Sequence, residues 1–129
     1  VHYDKILSMG SKLSEEVSNI IWNKGTEPAF SGKYNYHDDE GYYLCVNCQL
    51  QLFHSSDKFD SGSGWPSFSE AVADLIYLED HSIEPVRVEV QCPSCEAHLG
   101  HVFDDGPLPS GQRYCINSIG FRFEEENDE

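Results

Sequence analysis

The stretch Tyr42-Tyr43-Leu44-Cys45-Val46-Asn47-Cys48-Gln49-Leu50-Gln51-Leu52-Phe53 decides the fold. Residues 42–46 are rich in aromatic and branched side chains, which suits a strand. Residues 49–53 alternate polar and apolar, which suits a second strand returning beside it. Cys45 and Cys48 then fall on the turn between them. Strand, C-x-x-C turn and strand make a hairpin knuckle, the shape a metal ion clamps when both sulfurs point at it. A second knuckle, Cys92-Pro93-Ser94-Cys95, follows the run Val86, Val88, Val90 with Arg87, Glu89 and Gln91 between, which reads as a half-buried strand. Two such pairs can close a tetrahedral shell of four thiolates around one Zn²⁺, leaving no open position, so the ion would be structural. Two disulfides or an iron–sulfur centre are the rival uses of these cysteines. The paired spacing and the odd total of five favour zinc. His98, shortly after Cys95, competes as a ligand, but four cysteines suffice without it.

Cys115 is the thiol left over. In Gln112-Arg113-Tyr114-Cys115-Ile116-Asn117-Ser118, alternate residues of a strand share a face. Arg113, Cys115 and Asn117 line one side, while Tyr114 and Ile116 line the other. A free cysteine is often just a small buried hydrophobe. One beside an arginine, in a chain with several histidines, is also a candidate nucleophile.

The 129 residues suit one domain with one core. The net charge of −15 repels nucleic acid phosphates and anionic lipid, so neither is an expected partner. The longest clean apolar runs, such as residues 75–78, fall far short of the roughly 20 residues a membrane span needs. With C-x-x-C pairs suited to a reducing compartment, the expectation is a cytoplasmic monomer.

Residues 1–24 read as a loose lead-in and a helix. Ser14 is the N-cap, Glu15 and Glu16 occupy the first turn, Leu13, Val17, Ile20 and Ile21 form the stripe, and Gly25 is the stop after Lys24. Residues 25–41 are loop-like, and residues 70–74 suit a short turn of helix. Residues 75–79 and the alternation of Phe121 and Phe123 predict strands, and residues 124–129 an acidic tail that frays.

Four further motifs stand in order: Gly64-Trp65-Pro66-Ser67-Phe68, the paired cysteines, His98-Leu99-Gly100-His101-Val102-Phe103 with Asp105-Gly106-Pro107, and Arg113-Tyr114-Cys115-Ile116-Asn117-Ser118. Together they resemble the methionine-R-sulfoxide reductases, the MsrB family, from about residue 25 to residue 123. The resemblance implies a mainly β fold of two antiparallel sheets with short N-terminal helices. It implies reduction of methionine-R-sulfoxide in peptides and proteins. It makes Cys115 the nucleophile, His98, His101, Asp105, Arg113 and Asn117 its polar neighbours, and Trp65, with Phe103 beside it, the substrate-binding wall. Cys45, Cys48, Cys92 and Cys95 become the zinc ligands.

The chemistry suits these residue types. Arg113 favours a thiolate at Cys115, the histidines can donate protons near neutral pH, and Asp105 can orient one imidazole. His98 and His101 have opposite strand parity, so Gly100 is expected to break the strand if both reach the site. Oxygen transfer would leave Cys115 as a sulfenic acid. A second cysteine that resolves this acid in many relatives matches Ser63 here, so a one-cysteine enzyme regenerated directly by thioredoxin or a small thiol is expected. The rival of another class is a non-enzymatic zinc-ribbon module that binds protein, which needs no Cys115.

Overall fold

The computed structural model describes residues 14–82 and 84–125. The lead-in at residues 1–10, Leu13 and residues 126–129 lie outside the described residues. Helix α1 (Glu15–Asn23) opens where expected: the Ser14 hydroxyl accepts from the Val17 amide at 3.1 Å, and Glu15 and Glu16 complement the dipole. Ile20 and Ile21 are its buried stripe, with Val17 partly buried beside them. The stop comes one residue earlier than the glycine rule places it. Lys24 itself is the left-handed C-cap at φ 59, and its ammonium reaches Glu89 at 3.1 Å. That ion pair accompanies a conformation Gly25 would adopt more cheaply.

Nine strands form two antiparallel sheets among the described residues. The three-stranded sheet has the order β2 (Gln51–His54), β1 (Gly41–Cys45), β9 (Phe121–Glu125). The six-stranded sheet runs β3 (Lys58–Phe59), β4 (Ser67–Phe68), β8 (Arg113–Ile116), β7 (His98–Phe103), β6 (Arg87–Gln91), β5 (Ile76–Asp80). The expected mainly β fold of two sheets is therefore present, with one short helix described. Between the sheets sits an aromatic core in which Phe53 stacks on Phe68 at 4.4 Å and Tyr43, Tyr114 and Phe121 pack around them. No helix among the described residues is long and apolar enough to cross a membrane.

Several local expectations are corrected. Residues 70–74 form no helical turn. The Val72 amide instead donates to the Leu52 carbonyl at 2.9 Å, tying this loop to the other sheet. Gln49 and Leu50 belong to the knuckle rather than to the returning strand, because the Leu50 carbonyl accepts from Cys45. Glu124 and Glu125 are not a frayed tail: they pair with Tyr42 and Gly41 at the end of β9. Strand β6 is not half-buried in the ordinary sense. Its polar side chains Glu89 and Gln91 are buried as well, with the Glu89 carboxylate met by Lys24 of α1, by His98 of β7 and by Gln91.

Register positions the site. Leu78, Glu89, His101, Cys115 and Ser67 are successive cross-strand partners from β5 to β4, so they share one face. The next row on the core side includes Val90, Gly100 and Ile116. Gly100 does not break β7, which runs unbroken from His98 to Phe103. The parity of His98 is changed by a register shift opposite Val90 and Gln91, which leaves Leu99 as an extra residue. Gly100 serves close approach instead. A Cβ there would meet the Cys115 carbonyl oxygen at 2.1 Å.

Candidate active site

The two knuckles are built alike. Cys45 donates its amide to Leu50 at 2.9 Å and accepts from Gln49 at 2.8 Å; Cys92 donates to Ala97 at 2.9 Å and accepts from Glu96 at 2.8 Å. Gln49 and Glu96 close the turns at φ 67 and 65, a region costly for residues with a side chain. The reward is convergence. The four sulfurs lie within 4.8 Å of one another, with Cys45 3.6 Å from Cys95 and Cys48 3.5 Å from Cys92. Disulfide sulfurs sit about 2.05 Å apart, so none is formed. Four sulfurs about 2.3 Å from a tetrahedral ion would stand about 3.8 Å from each other, close to what is seen. The donor set fits a metal ion, held between the β1–β2 hairpin and the turn from β6 to β7.

Cys115 lies elsewhere, on the wall of a cavity of about 310 Å³. Ser63, Trp65, His101, Phe103, Arg113 and Asn117 line it with Cys115, and Thr26, Arg87 and Gly100 complete it. A larger groove of about 700 Å³ lies beside α1 and β9, but no thiol or imidazole lines it. Trp65 is held by its Nε1–H, which donates to the Glu27 carbonyl at 2.9 Å. The Ser63 hydroxyl stands 3.7 Å from the Cys115 sulfur, so position 63 is within reach of the thiol. Arg113 lies 4.4 Å over the Phe103 ring and makes a two-point bond to Asp105, at 2.8 and 3.2 Å. Asp105 is therefore the partner of Arg113, not of an imidazole.

That pairing changes the thiol. Burial pushes Cys115 above its ordinary value; the Ser63 hydroxyl and the Arg113 guanidinium pull it back, and Asp105 adds to the push. Arg113 favours the thiolate as expected, but desolvation outweighs it because Arg113 shares its charge with a carboxylate, so the resting thiol stays protonated. Asn117 lines the cavity, but its amide is committed: Oδ1 accepts from Glu27 at 3.0 Å and Nδ2 donates to Leu99 at 3.1 Å. It fixes the loop that carries Glu27 to β7.

The two histidines separate. His101 lines the cavity and bonds through Nε2 to Asp80 at 2.7 Å. His98 is 3% exposed, lies outside the cavity wall, and bonds through Nδ1 to Glu89 at 2.7 Å. The rings stand 5.6 Å apart. Burial pushes the His98 imidazole down, against the pull of Glu89, so it rests neutral. Burial also pushes the Glu89 carboxyl up, but bonds from Gln91, His98 and Lys24 outweigh it and hold the group ionised.

Comparison with known proteins places this arrangement. A family model described as the SelR domain matches residues 13–125. Two similar proteins, each named "Peptide methionine sulfoxide reductase MsrB", come from Escherichia coli O139:H28 (strain E24377A / ETEC) and Escherichia coli (strain K12 / DH10B). Each is 48% identical over 120 residues, covering 91% of this chain and 88% of the relative. The chain belongs to the MsrB family. The match takes in α1 as well as the sheets.

Sequence reading of this MsrB member missed four residues: Thr26 and Arg87 on the cavity wall, and Asp80 and Glu89, which bond His101 and His98. Glu89 stands on the polar side of an alternating run, which reads as solvent-facing. Asp80 and Thr26 had no signal, since only strand pairing and loop packing bring them close.

Proposed function

We propose that the protein reduces methionine-R-sulfoxide in peptides and proteins to methionine, with Cys115 as the nucleophile. The observation that carries this is the single thiol outside the metal cluster, facing an open cavity walled by an indole and an imidazole in a member of the MsrB family. The S-methyl group suits the Trp65 face, since sulfur packs well on aromatic rings. The Cys115 thiol gives up its proton and its sulfur takes the oxygen. The S–O bond of the sulfoxide breaks, a Cys115 S–O bond forms, the thioether leaves, and one proton ends on the oxygen as the sulfenic acid. His101 is the proton donor to that oxygen, while His98 and Asn117 hold the frame and Asp105 restrains Arg113. Phe103 supports Arg113 from below.

Two reducing equivalents from thioredoxin or a small thiol then restore Cys115 and release water. Among the described residues every other cysteine belongs to the cluster, and Ser63 stands where a resolving thiol would be in reach. Zn²⁺ is the ion we assign to the four cysteines, on their thiolate chemistry and tetrahedral spacing. Residues 25–123 with α1 act as one catalytic unit, a cytoplasmic monomer. The zinc-ribbon binding module has no use for the Cys115 cavity.

Turnover of separated R and S methionine sulfoxide peptides with dithiothreitol is the test. Reduction of R alone, abolished by Cys115→Ser, is expected. After one turnover without reductant, mass spectrometry should find one oxygen on Cys115 and no intramolecular disulfide. Preference for S, or a disulfide from Cys115 to a knuckle cysteine, sinks the proposal.

A further inference from the structure

Asp80 closes the edge strand β5, yet its carboxylate reaches the thiol cavity's imidazole. Its Oδ2 accepts from His101 Nε2 at 2.7 Å and from Arg87 Nη2 at 3.1 Å, and its Oδ1 accepts from the Ser82 amide at 2.9 Å. These bonds, Ser82 first and His101 after it, hold the Asp80 carboxyl well below the usual carboxylate range. An ionised carboxylate can only accept, so the hydrogen between Asp80 and His101 belongs to Nε2. In the neutral ring Nδ1 is then bare.

The other charged groups facing His101 do not compete for this role. Glu89, its cross-strand partner on β6, spends its oxygens on Gln91 at 3.1 Å, His98 at 2.7 Å and Lys24 of α1 at 3.1 Å. From β8, Arg113 is taken by Asp105, and Cys115 is the reacting thiol. His98, on β7 itself, rests neutral. Arg87 on β6 faces Asp80 and braces it.

We infer that Asp80 is a positioning residue for the sulfoxide reduction: it fixes His101 with the proton on Nε2, so that Nδ1 is the nitrogen that exchanges a proton with the cavity, and Arg87 holds the carboxylate in register. This rests on the reading of Cys115 and His101 as the reacting pair. His101 must then first take a proton at Nδ1 to act as an acid, and the nearby Asp80 charge stabilises the imidazolium that results. The Cys115 thiol proton, released on attack, is a source for it. The thiol loses what the imidazole gains, and the imidazole passes it to the departing oxygen.

Asp80→Asn keeps the shape and an acceptor for Ser82 but removes the charge. Its kcat on a methionine-R-sulfoxide peptide should fall about tenfold to a hundredfold with KM little changed. Asp80→Glu should recover part of the loss. A readout independent of turnover is the ¹⁵N shift pattern of His101 at neutral pH: Nε2 protonated and Nδ1 bare in the wild type, a tautomer mixture in Asp80→Asn. A wild-type ring protonated at Nδ1 overturns the inference by itself, and so does an unchanged His101 tautomer in a folded Asp80→Asn protein. If the wild type fails to reduce the sulfoxide at all, the functional reading falls instead, while the tautomer still reports on Asp80.

Discussion

The four clustered cysteines and Cys115 share one small fold and meet opposite surroundings. At the knuckles the backbone does the work: matched turns, each closed by a residue at positive φ, bring four sulfurs within 4.8 Å. No charged side chain of opposite sign is needed there where a bound cation would supply the counter-charge. At Cys115 the backbone is plain strand, and the surroundings are side chains: a serine hydroxyl at 3.7 Å, a guanidinium already shared with Asp105, and an indole wall. The first arrangement makes sulfur a permanent ligand. The second keeps it neutral and open until something reactive arrives.

The largest expected difference lies in stability. Stripping the metal with a chelator should cost several kcal/mol and lower Tm on the order of 10 °C or more, since structural metal binding is folding free energy. Cys115→Ser should shift stability by no more than about 1 kcal/mol, as the hydroxyl is near-isosteric with the thiol and keeps its place beside Ser63. A chelated protein that melts like the untreated one would erase the distinction.

Reactivity is the next contrast. Because burial holds the Cys115 thiol above its ordinary value of 9.0, iodoacetamide labelling of the metal-loaded protein should climb only at alkaline pH. Asp105→Asn removes a charge that pushes the thiol up, so its labelling curve should move to lower pH; Arg113→Gln should move it higher. The four cluster sulfurs should stay unlabelled throughout. Labelling of Cys115 that is already complete at neutral pH would contradict the protonated resting state.

The likeness of the two knuckles gives the smallest effect. Gln49→Gly and Glu96→Gly each relieve a left-handed conformation and should stabilise by about 1 kcal/mol, in equal measure. Thermal melts that separate the two variants would show that the turns are not equivalent.

How much of this was legible in the sequence follows from how far apart the participants are. The knuckles were readable because each is a local pattern, with flanking strands that alternate as strands should. The Arg113 and Cys115 face was readable for the same reason. What escaped was set by pairing between distant strands. Glu89 looked like the solvent side of an amphipathic strand, and only its place between Leu78 and His101 reveals a buried acid. The parity conflict between His98 and His101 was visible, but its resolution by an extra residue at Leu99 has no local signature. Asp105 reads in sequence as able to orient an imidazole; across the strand pair, its partner is Arg113.

Gly100 decides which parts of the cavity can change shape. With its missing side chain replaced by the Cys115 carbonyl oxygen, the floor beneath the thiol is main chain and admits no gradation in size. Breadth varies through the lining side chains, and three of these, Thr26, Ser63 and Trp65, are carried by connecting segments that are not part of either sheet. Accommodation of bulkier polypeptide neighbours is thus a matter for the rim, and the chemistry is insulated from it.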